Sequence, residues 1–367
     1  MATHGNCSTW TYDNVAYIHM ELSSRCNAAC PGCSRFVMNS PVVRPEVPQV
    51  DVTFEQFKSW FDIDFIKQVK KWQFCGSYGD PLACKDFYEI LEYICKNSLA
   101  SVQINTNGGL GNKELYKKIG TLFHSHTSYQ FHRYITFSVD GLDDTNHIYR
   151  RNVIWDKLWE NMMAYVDTGA IAHWDYLEFK HNTHQVSEAR AIADNYGIMF
   201  HLKKPFMTPK KAMPVYSKDL ELDYIIEDAF DNGHEPYVPV GEGYVAPMPD
   251  AIVEEGVIMC NSLKHPNQTE IYVDSVGNVL PCCFIGYSTL NTYIDQAVQV
   301  QHILRMIGNR NNLNHYSLQH MLETGVFDVW RESWPEKSVN ICWSSCGKNT
   351  DKVTKVEGLF VKNERLR

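Results

Sequence analysis

Strand-like and helical patterns alternate through the first two hundred residues of this chain. β-Branched and aromatic runs predict six strands, at 15–22, 72–76, 101–106, 134–139, 175–180 and 198–203. Apolar residues at helical spacing predict five helices between them, at 54–69, 86–95, 113–122, 155–166 and 186–196. Such alternation predicts an α/β fold with a parallel sheet and right-handed crossovers. Because six strands are too few for a closed eight-stranded barrel, we expect an open, partial (β/α)6 barrel. Its functional edge should be the carboxyl ends of the strands.

Three cysteines follow the first predicted strand directly. Cys26, Cys30 and Cys33 lie within eight residues, and we call them the first cysteine set. Three thiolates in one loop can hold three corners of a four-iron cluster and leave the fourth iron open to a small molecule. The alternative is half of a zinc site, but zinc cysteines usually lie two residues apart and need a fourth ligand nearby. The spacing favours the iron cluster.

A second cysteine set lies in the last third of the chain, around a predicted hairpin at 271–282. It consists of Cys260, Cys282, Cys342 and Cys346. Four thiolates complete the ligands of a second cluster with no open iron. A structural zinc held by the same cysteines is the alternative, and spacing does not separate the two. Cys283 is expected to point elsewhere if its segment is extended. The favoured interpretation is an ordinary small apolar residue, and the alternatives are a spare ligand and a hydrogen-atom donor.

The first cysteine set resembles the signature of the radical S-adenosylmethionine (SAM) enzymes. The element Gly277-x4-Cys282, with the other second-set cysteines, resembles the twitch domain, a shorter relative of the SPASM domain. The first resemblance implies a catalytic [4Fe-4S] cluster on Cys26, Cys30 and Cys33 whose open iron chelates the methionine amine and carboxylate of SAM. One electron then releases a 5′-deoxyadenosyl radical. The second resemblance implies one auxiliary [4Fe-4S] cluster.

The same family resemblance extends to the ends of successive predicted strands. It implies that Tyr78-Gly79-Asp80 meets the methionine amine, with an aspartate where the family usually has glutamate. It also implies that Asn107 lies in a Thr-Asn-Gly turn at the cofactor. The remaining implied contacts are Ser138 and Asp140 at the ribose, Arg150 or Arg151 at the carboxylate, and Asn182 at the nucleoside. Gly32 stands where the family commonly has an aromatic residue.

The composition changes along the chain and divides it into four predicted segments. They are a radical SAM core at 1–204, a Pro-rich acidic linker at 205–259, an α+β auxiliary domain at 260–350 and a basic tail at 351–367. Within the linker we expect a short helix at 220–230.

Length and charge exclude several classes of protein. The 367 residues carry a net charge of −9, which argues against a nucleic-acid partner. The sequence shows neither a run of eighteen apolar residues nor a basic-then-apolar leader, so neither a membrane partner nor secretion is expected. Twelve cysteines in a chain of this size suit thiolate–iron chemistry in the cytoplasm better than disulfides.

These resemblances imply an oxidoreductase that abstracts hydrogen from an unactivated C–H bond. The favoured substrate is a peptide or protein, which would be modified oxidatively. The alternatives are dehydrogenation or rearrangement of a small carbohydrate-like metabolite and, outside enzymes, a zinc-stabilised binding protein. A flavodoxin- or ferredoxin-like electron donor is the expected partner, because the chain encodes none.

Overall fold

The computed structural model describes most of the chain and divides it into two units. The described residues are 9–128, 130–205, 212–229, 257–258, 260–263, 267–290, 295–334 and 339–348. The barrel unit comprises Ile18–Tyr244 and Val273–Asn278. The C-terminal unit comprises Met1–Tyr17, Val245–Tyr272 and Val279–Arg367. The predicted boundaries after residues 204, 259 and 350 stay predictions, and the tail at 351–367 lies outside the described residues.

Six strands and seven helices alternate in the barrel region. The strands are β1 (Val15–Met20), β2 (Lys71–Phe74), β3 (Ser101–Thr106), β4 (Arg133–Ser138), β5 (Ile171–Leu177) and β6 (Met199–Lys203). The helices are α1 (Phe54–Trp60), α2 (Ile63–Gln68), α3 (Phe87–Asn97), α4 (Lys113–Ser125), α5 (Asn146–Tyr149), α6 (Trp155–Val166) and α7 (Val186–Asn195). The strands are neighbours in chain order, and β2 to β6 pair in parallel. The predicted open, partial barrel is therefore confirmed.

The predicted helix over 54–69 is broken in the middle. Phe61 is extended at φ −130°, and the Asp62 carboxylate then caps α2 by accepting from the backbone N–H groups of Asp64 and Phe65. Phe57, Phe61 and Phe65 are nonetheless buried along one stripe, and the rings of Phe57 and Phe61 both contact Trp72 on β2. The break comes from a strong N-cap within the apolar pattern, while the stripe forms core as its spacing indicates.

Buried His19 on β1 makes the barrel unit sensitive to acid. Its Nε2 lies 2.7 Å from the carbonyl oxygen of Cys75, so this nitrogen carries the proton and donates. Burial lowers the pKa of His19 from 6.5 to about 4; the Cys75 carbonyl opposes the shift, and the charge of Lys71 adds to it. Between these pH values the unfolded chain binds a proton that the folded chain does not, so the free energy of unfolding falls as the pH falls.

We expect His19→Gln to flatten this pH dependence. Between pH 6.5 and pH 4 the free energy of unfolding should fall by about 3 kcal/mol more in the wild type than in the variant. This is the free energy that corresponds to the pKa shift of His19. Urea unfolding at several pH values measures the difference. The matched substitution at exposed His132 should leave the slope as in the wild type. Parallel slopes for the wild type and His19→Gln would contradict the account.

A hairpin stands where the sequence predicts a helix at 220–230. Strands β7 (Ala212–Tyr216) and β8 (Leu222–Glu227) pair antiparallel, so this prediction is wrong. A buried cluster forms here from Met213, Val215, Ile226 and Phe179. Burial of alternate residues in this cluster stabilises two strands more than it would stabilise a helix.

The C-terminal unit combines short strands with helices. Its strands are β9 (Val257–Ile258), most of β10 (Thr269–Val273), β11 (Val279–Leu280) and β12 (Gly347–Lys348). Strands β9 and β12 pair antiparallel, and β10 neighbours β11 as the predicted hairpin requires. Its helices are α8 (Cys283–Ser288), α9 (Asp295–Ile307), α10 (Leu318–Glu323), α11 (Asp328–Glu332) and α12 (Asn340–Cys346). Within the described parts of the chain, none of the helices has both the length and the apolar character needed to cross a membrane.

Candidate metal centre and its surroundings

The first cysteine set lies in a buried loop directly beyond β1. Cys30 is buried and Cys26 and Cys33 are partly buried. The loop is tied down by its own backbone: the Cys33 N–H donates to Cys30 O (3.0 Å), and the Ala29 N–H donates to Arg151 O (2.9 Å). The backbone that carries the three thiols is therefore fixed beyond the carboxyl end of β1.

Burial raises the pKa of all three thiols. It raises the pKa of Cys33 to about 11, with the Cys30 charge adding to the effect. The pKa of Cys26 and of Cys30 also rises through burial, which Arg150 opposes at Cys30. Three neighbouring thiolates thus need a strong positive charge to exist together, and a bound metal would supply it. The soft, buried donor set fits an iron–sulfur cluster. Across the described residues, no three His, Cys, Asp or Glu side chains are close enough to hold one metal ion.

Arg150 places a fixed cation beside this loop. Its Nη1 lies 3.6 Å from Cys30 Sγ, and its Nε donates to Asp140 Oδ2 at 2.5 Å. Asp140 is fully buried and also accepts from the Leu177 N–H (2.7 Å). Burial alone would lower the pKa of Arg150, but the charges of Asp140 and Cys30 outweigh it and raise that pKa.

Arg151, the other candidate, faces a different part of the unit. Its Nη1 donates to Tyr216 O (3.1 Å), and its Nη2 lies 3.3 Å from Asp223 Oδ2, so the guanidinium is held by the β7–β8 hairpin. Of the two arginine side chains, that of Arg150 approaches the cysteines and that of Arg151 contacts the hairpin.

Asn107 approaches the loop from the end of β3. Its Nδ2 donates to Asn27 Oδ1 (2.9 Å) and lies 3.5 Å from Cys26 Sγ, while its Oδ1 accepts from the Gly109 N–H (2.8 Å). Asn107 therefore offers an N–H group to the first cysteine set.

The Asp80 carboxylate is engaged by its own chain. It accepts from the backbone N–H groups of Leu82 (3.0 Å) and Asn107 (2.9 Å) and from Thr106 Oγ1 (2.9 Å). These bonds cap the following turn and join it to the end of β3. The structure thus gives Asp80 a positioning role that the family resemblance does not suggest.

Glu21 is a buried residue of this site that the sequence analysis did not single out. Its Oε1 accepts from the N–H groups of Tyr78 (2.7 Å) and Gly79 (2.8 Å), so it orders the turn before Asp80. A side chain at Gly79 would lie 1.9 Å from Ser23 O, so glycine is required there. A carboxylate directly after the apolar run of β1 was the sequence signal for Glu21.

Asn182 and Ser138 occupy two other strand ends. Asn182 is fully buried; its Nδ2 donates to Asp140 O and Leu177 O (both 2.9 Å), and its Oδ1 accepts from the Phe179 N–H (2.7 Å). Its amide thus fastens the Asp140 segment to the end of β5. Ser138 is partly buried at the end of β4.

An aromatic ring lies beside Gly32, although the sequence has none at that position. A Cβ on Gly32 would lie 2.9 Å from the Tyr149 hydroxyl, and the Tyr149 ring packs on Phe179 with centroids 4.7 Å apart. The nearby charges of Cys30 and Cys33 add to burial in raising the pKa of Tyr149. Tyr149, from α5, is a second residue that the sequence analysis missed.

The second cysteine set lines one cavity in the C-terminal unit. All four members face it, among apolar side chains. Burial raises the pKa of Cys342 to about 12, and the charge of Cys260 adds to this shift; the pKa of Cys282 rises through burial and the Cys342 charge. Cys283 is not among the lining residues. It begins α8 instead of continuing a strand, so the extended segment on which its expected direction depended is not present at this residue.

The barrel strands carry a polar inner face opposite their buried face. Its residues are Gln103, Asn105, Tyr134, Thr136, His173, Asp175, His201 and Lys203, and all are partly buried or exposed except Thr136. Tyr134 Oη donates to Gln103 Oε1 (2.9 Å), and the His173 ring stacks on Tyr134 (4.3 Å) and on His201 (5.0 Å). The neighbouring positions Val102, Ile104, Ile135 and Trp174 are fully buried.

Comparisons with known proteins identify the family of this domain. Residues 20–174 match the family model described as Radical SAM superfamily. No curated protein matches the chain.

Several solved structures are similar to the chain at low identity. SuiB of Streptococcus suis bound to S-adenosylmethionine is 14% identical, with a TM-score of 0.46 over 76% of this chain and 61% of that chain. Native anSMEcpe with bound AdoMet and Cp18Cys peptide is 12% identical, with a TM-score of 0.49 over 86% of this chain and 82% of that chain. The chain thus spans about three fifths of the length of SuiB. Residues 20–174 therefore match the radical SAM superfamily, the family that the first cysteine set resembles.

Proposed function

We propose that this protein is a radical SAM enzyme that abstracts hydrogen from an unactivated C–H bond. The first cysteine set would hold a [4Fe-4S] cluster with one iron open to SAM. When bound, this cluster supplies the electron that splits SAM into methionine and a 5′-deoxyadenosyl radical. The observation that carries the proposal is the buried three-thiol loop at the carboxyl end of β1, inside the family domain.

The surrounding residues would then divide into two groups. Arg150 and Asn107 present N–H groups to Cys30 and Cys26, and Ser138 offers a hydroxyl at the same sheet edge. The Asp140 carboxylate pairs with Arg150, and the Asn182 amide donates to the end of β5. The Asp80 carboxylate accepts from the backbone N–H of Asn107 and so fixes that turn. The backbone of Tyr78 and Gly79, ordered by Glu21, remains the proposed contact for the methionine amine.

We expect Arg150→Lys to lower SAM cleavage by about 10- to 100-fold, the usual cost of losing an outer-shell partner at a metal site. Lysine keeps the charge but cannot bond Asp140 and approach Cys30 at once, as the guanidinium does. Initial rates of 5′-deoxyadenosine release measure the effect. Arg151→Lys should remain near the wild-type rate, because its contacts go to Tyr216 and Asp223. Equal losses in both variants would contradict the assignment of Arg150.

The polar inner face supports a polar substrate. Amides, hydroxyls and imidazoles line it and can both donate and accept hydrogen bonds, which a peptide backbone requires. We therefore propose oxidative modification of a peptide or protein. Incubating candidate peptides with the reduced enzyme and SAM, and measuring their mass, tests this: loss of two hydrogens is expected. Turnover of small polar metabolites alone would overturn the peptide assignment.

The second cysteine set would hold an auxiliary [4Fe-4S] cluster. With four thiolate ligands it has no open iron, so its proposed role is to accept the electron left on the substrate after hydrogen abstraction. A flavodoxin- or ferredoxin-like protein is the proposed electron donor to the enzyme.

Iron analysis and product formation together test the proposed function. Protein purified without oxygen should contain about eight irons per chain, four for each cluster. With dithionite and SAM it should release 5′-deoxyadenosine. A colourless, zinc-loaded protein without this product would overturn the proposal.

A further inference from the structure

Two buried tryptophans line the same cavity as the second cysteine set, and their indole N–H groups have no hydrogen-bond partner among the described residues. Trp330 and Trp334 are 1% and 6% exposed, and both line the cavity that the four cysteines line. Neither Nε1 atom has a hydrogen-bond partner within the described parts of the chain. Buried donors in native proteins are nearly always paired, so two orphans in one cavity indicate an acceptor that the polypeptide itself does not supply.

The lining of the cavity limits what that acceptor can be. Apart from the cysteines and Ser345, the remaining side chains are hydrocarbon or aromatic, including Ile258, Ile285 and Ile341. A third tryptophan in the lining shows the contrast: Trp10 Nε1 donates to Glu270 O at 3.0 Å. The side-chain acceptors that the lining offers are therefore the four cysteine sulfur atoms and the Ser345 hydroxyl, and sulfur is the more numerous of the two.

We propose that Trp330 and Trp334 donate their indole N–H groups to sulfur atoms of an auxiliary cluster and thereby raise its reduction potential. This inference rests on the proposed function, because it requires iron at the second cysteine set. Reduction adds one negative charge to the cluster, and donors aimed at its sulfur atoms stabilise that charge. A higher potential suits a cluster that takes up the electron left on the substrate.

The variants are Trp330→Phe, Trp334→Phe and both together, with Trp10→Phe as the matched control. Each is made in a Cys26→Ala/Cys30→Ala/Cys33→Ala background, so that the auxiliary cluster gives the only iron–sulfur signal. Redox titration monitored by electron paramagnetic resonance (EPR) gives the midpoint potential. We expect a lower potential in each single variant and a larger shift in the double variant. The Trp10→Phe protein should keep the parent potential, because Trp10 donates elsewhere.

Isotope labelling tests the same contact without changing the packing. The background protein is labelled with 15N at the tryptophan indole nitrogens, and pulsed EPR of the reduced cluster should show 15N couplings. An iron-loaded cluster with neither a potential shift in the double variant nor a 15N coupling overturns the role of the tryptophans. A background protein that binds no iron overturns the auxiliary cluster itself. Metal analysis alone distinguishes this outcome from the failure of the tryptophan assignment.

Discussion

Replacing Cys30 with alanine should abolish 5′-deoxyadenosine formation. Cys30 is the most buried member of the first cysteine set and the one that Arg150 approaches. Its loss leaves two thiolates, too few to hold a cluster with one defined open iron. We expect a fall of more than about 100-fold, beyond the usual cost of losing an outer-shell partner. Iron content should fall from about eight to about four per chain.

A matched control separates ligand loss from the loss of a buried thiol. Cys95 is also buried, within α3, and belongs to neither cysteine set. Cys95→Ala should keep full iron content and activity while losing about 1 kcal/mol of stability for the deleted group. If Cys30→Ala cleaves SAM as fast as Cys95→Ala, the proposed centre is wrong.

Replacing Asp80 with asparagine should destabilise the barrel unit by about 3 kcal/mol. The Asp80 carboxylate is buried and accepts from Leu82, Asn107 and Thr106. Each carboxylate oxygen of Asp80 accepts from one backbone N–H, but an asparagine amide has only one oxygen. Its NH2 group would therefore face a backbone N–H, and two hydrogen-bond donors would point at each other. A buried donor left in this way loses its full solvation.

Thermal unfolding measures the effect of Asp80→Asn. A loss of this size should lower the melting temperature by roughly 6–12 °C. Iron loading should fall with it, because Asp80 positions Asn107 next to Cys26. The control is Asp64→Asn, whose carboxylate is exposed on α2 and should leave both values unchanged. A melting temperature like that of the control would contradict the positioning role of Asp80.

Much of the fold could be predicted, and a candidate metal centre could be named, because the signals are local. The barrel strands show runs of apolar and β-branched residues, and the first cysteine set lies within eight consecutive residues. The signal for the break between α1 and α2, the N-cap residue Asp62, is also local. It was not used because the apolar stripe continues across it. The β7–β8 hairpin was missed because prolines and acidic residues dominate that part of the sequence, whereas burial against Phe179 stabilises it.

The roles of the polar site residues could not be predicted in the same way. Asp80 and Asn182 stand at the expected strand ends, yet their side chains bond their own chain. Only three-dimensional distances distinguish a residue that meets a cofactor from one that holds the turn beside it. The same holds for Arg150 and Arg151, which are adjacent in sequence but point to different partners.

The most direct test of the central claim is whether the methionine end of SAM binds the cluster held by the first cysteine set. Electron–nuclear double resonance of the reduced wild-type protein, with SAM labelled by 15N at the amine and 17O at the carboxylate, measures this. We expect hyperfine couplings from both labels. In the Cys30→Ala variant both should be absent. Iron-replete wild-type protein that shows neither coupling with saturating SAM would contradict the account.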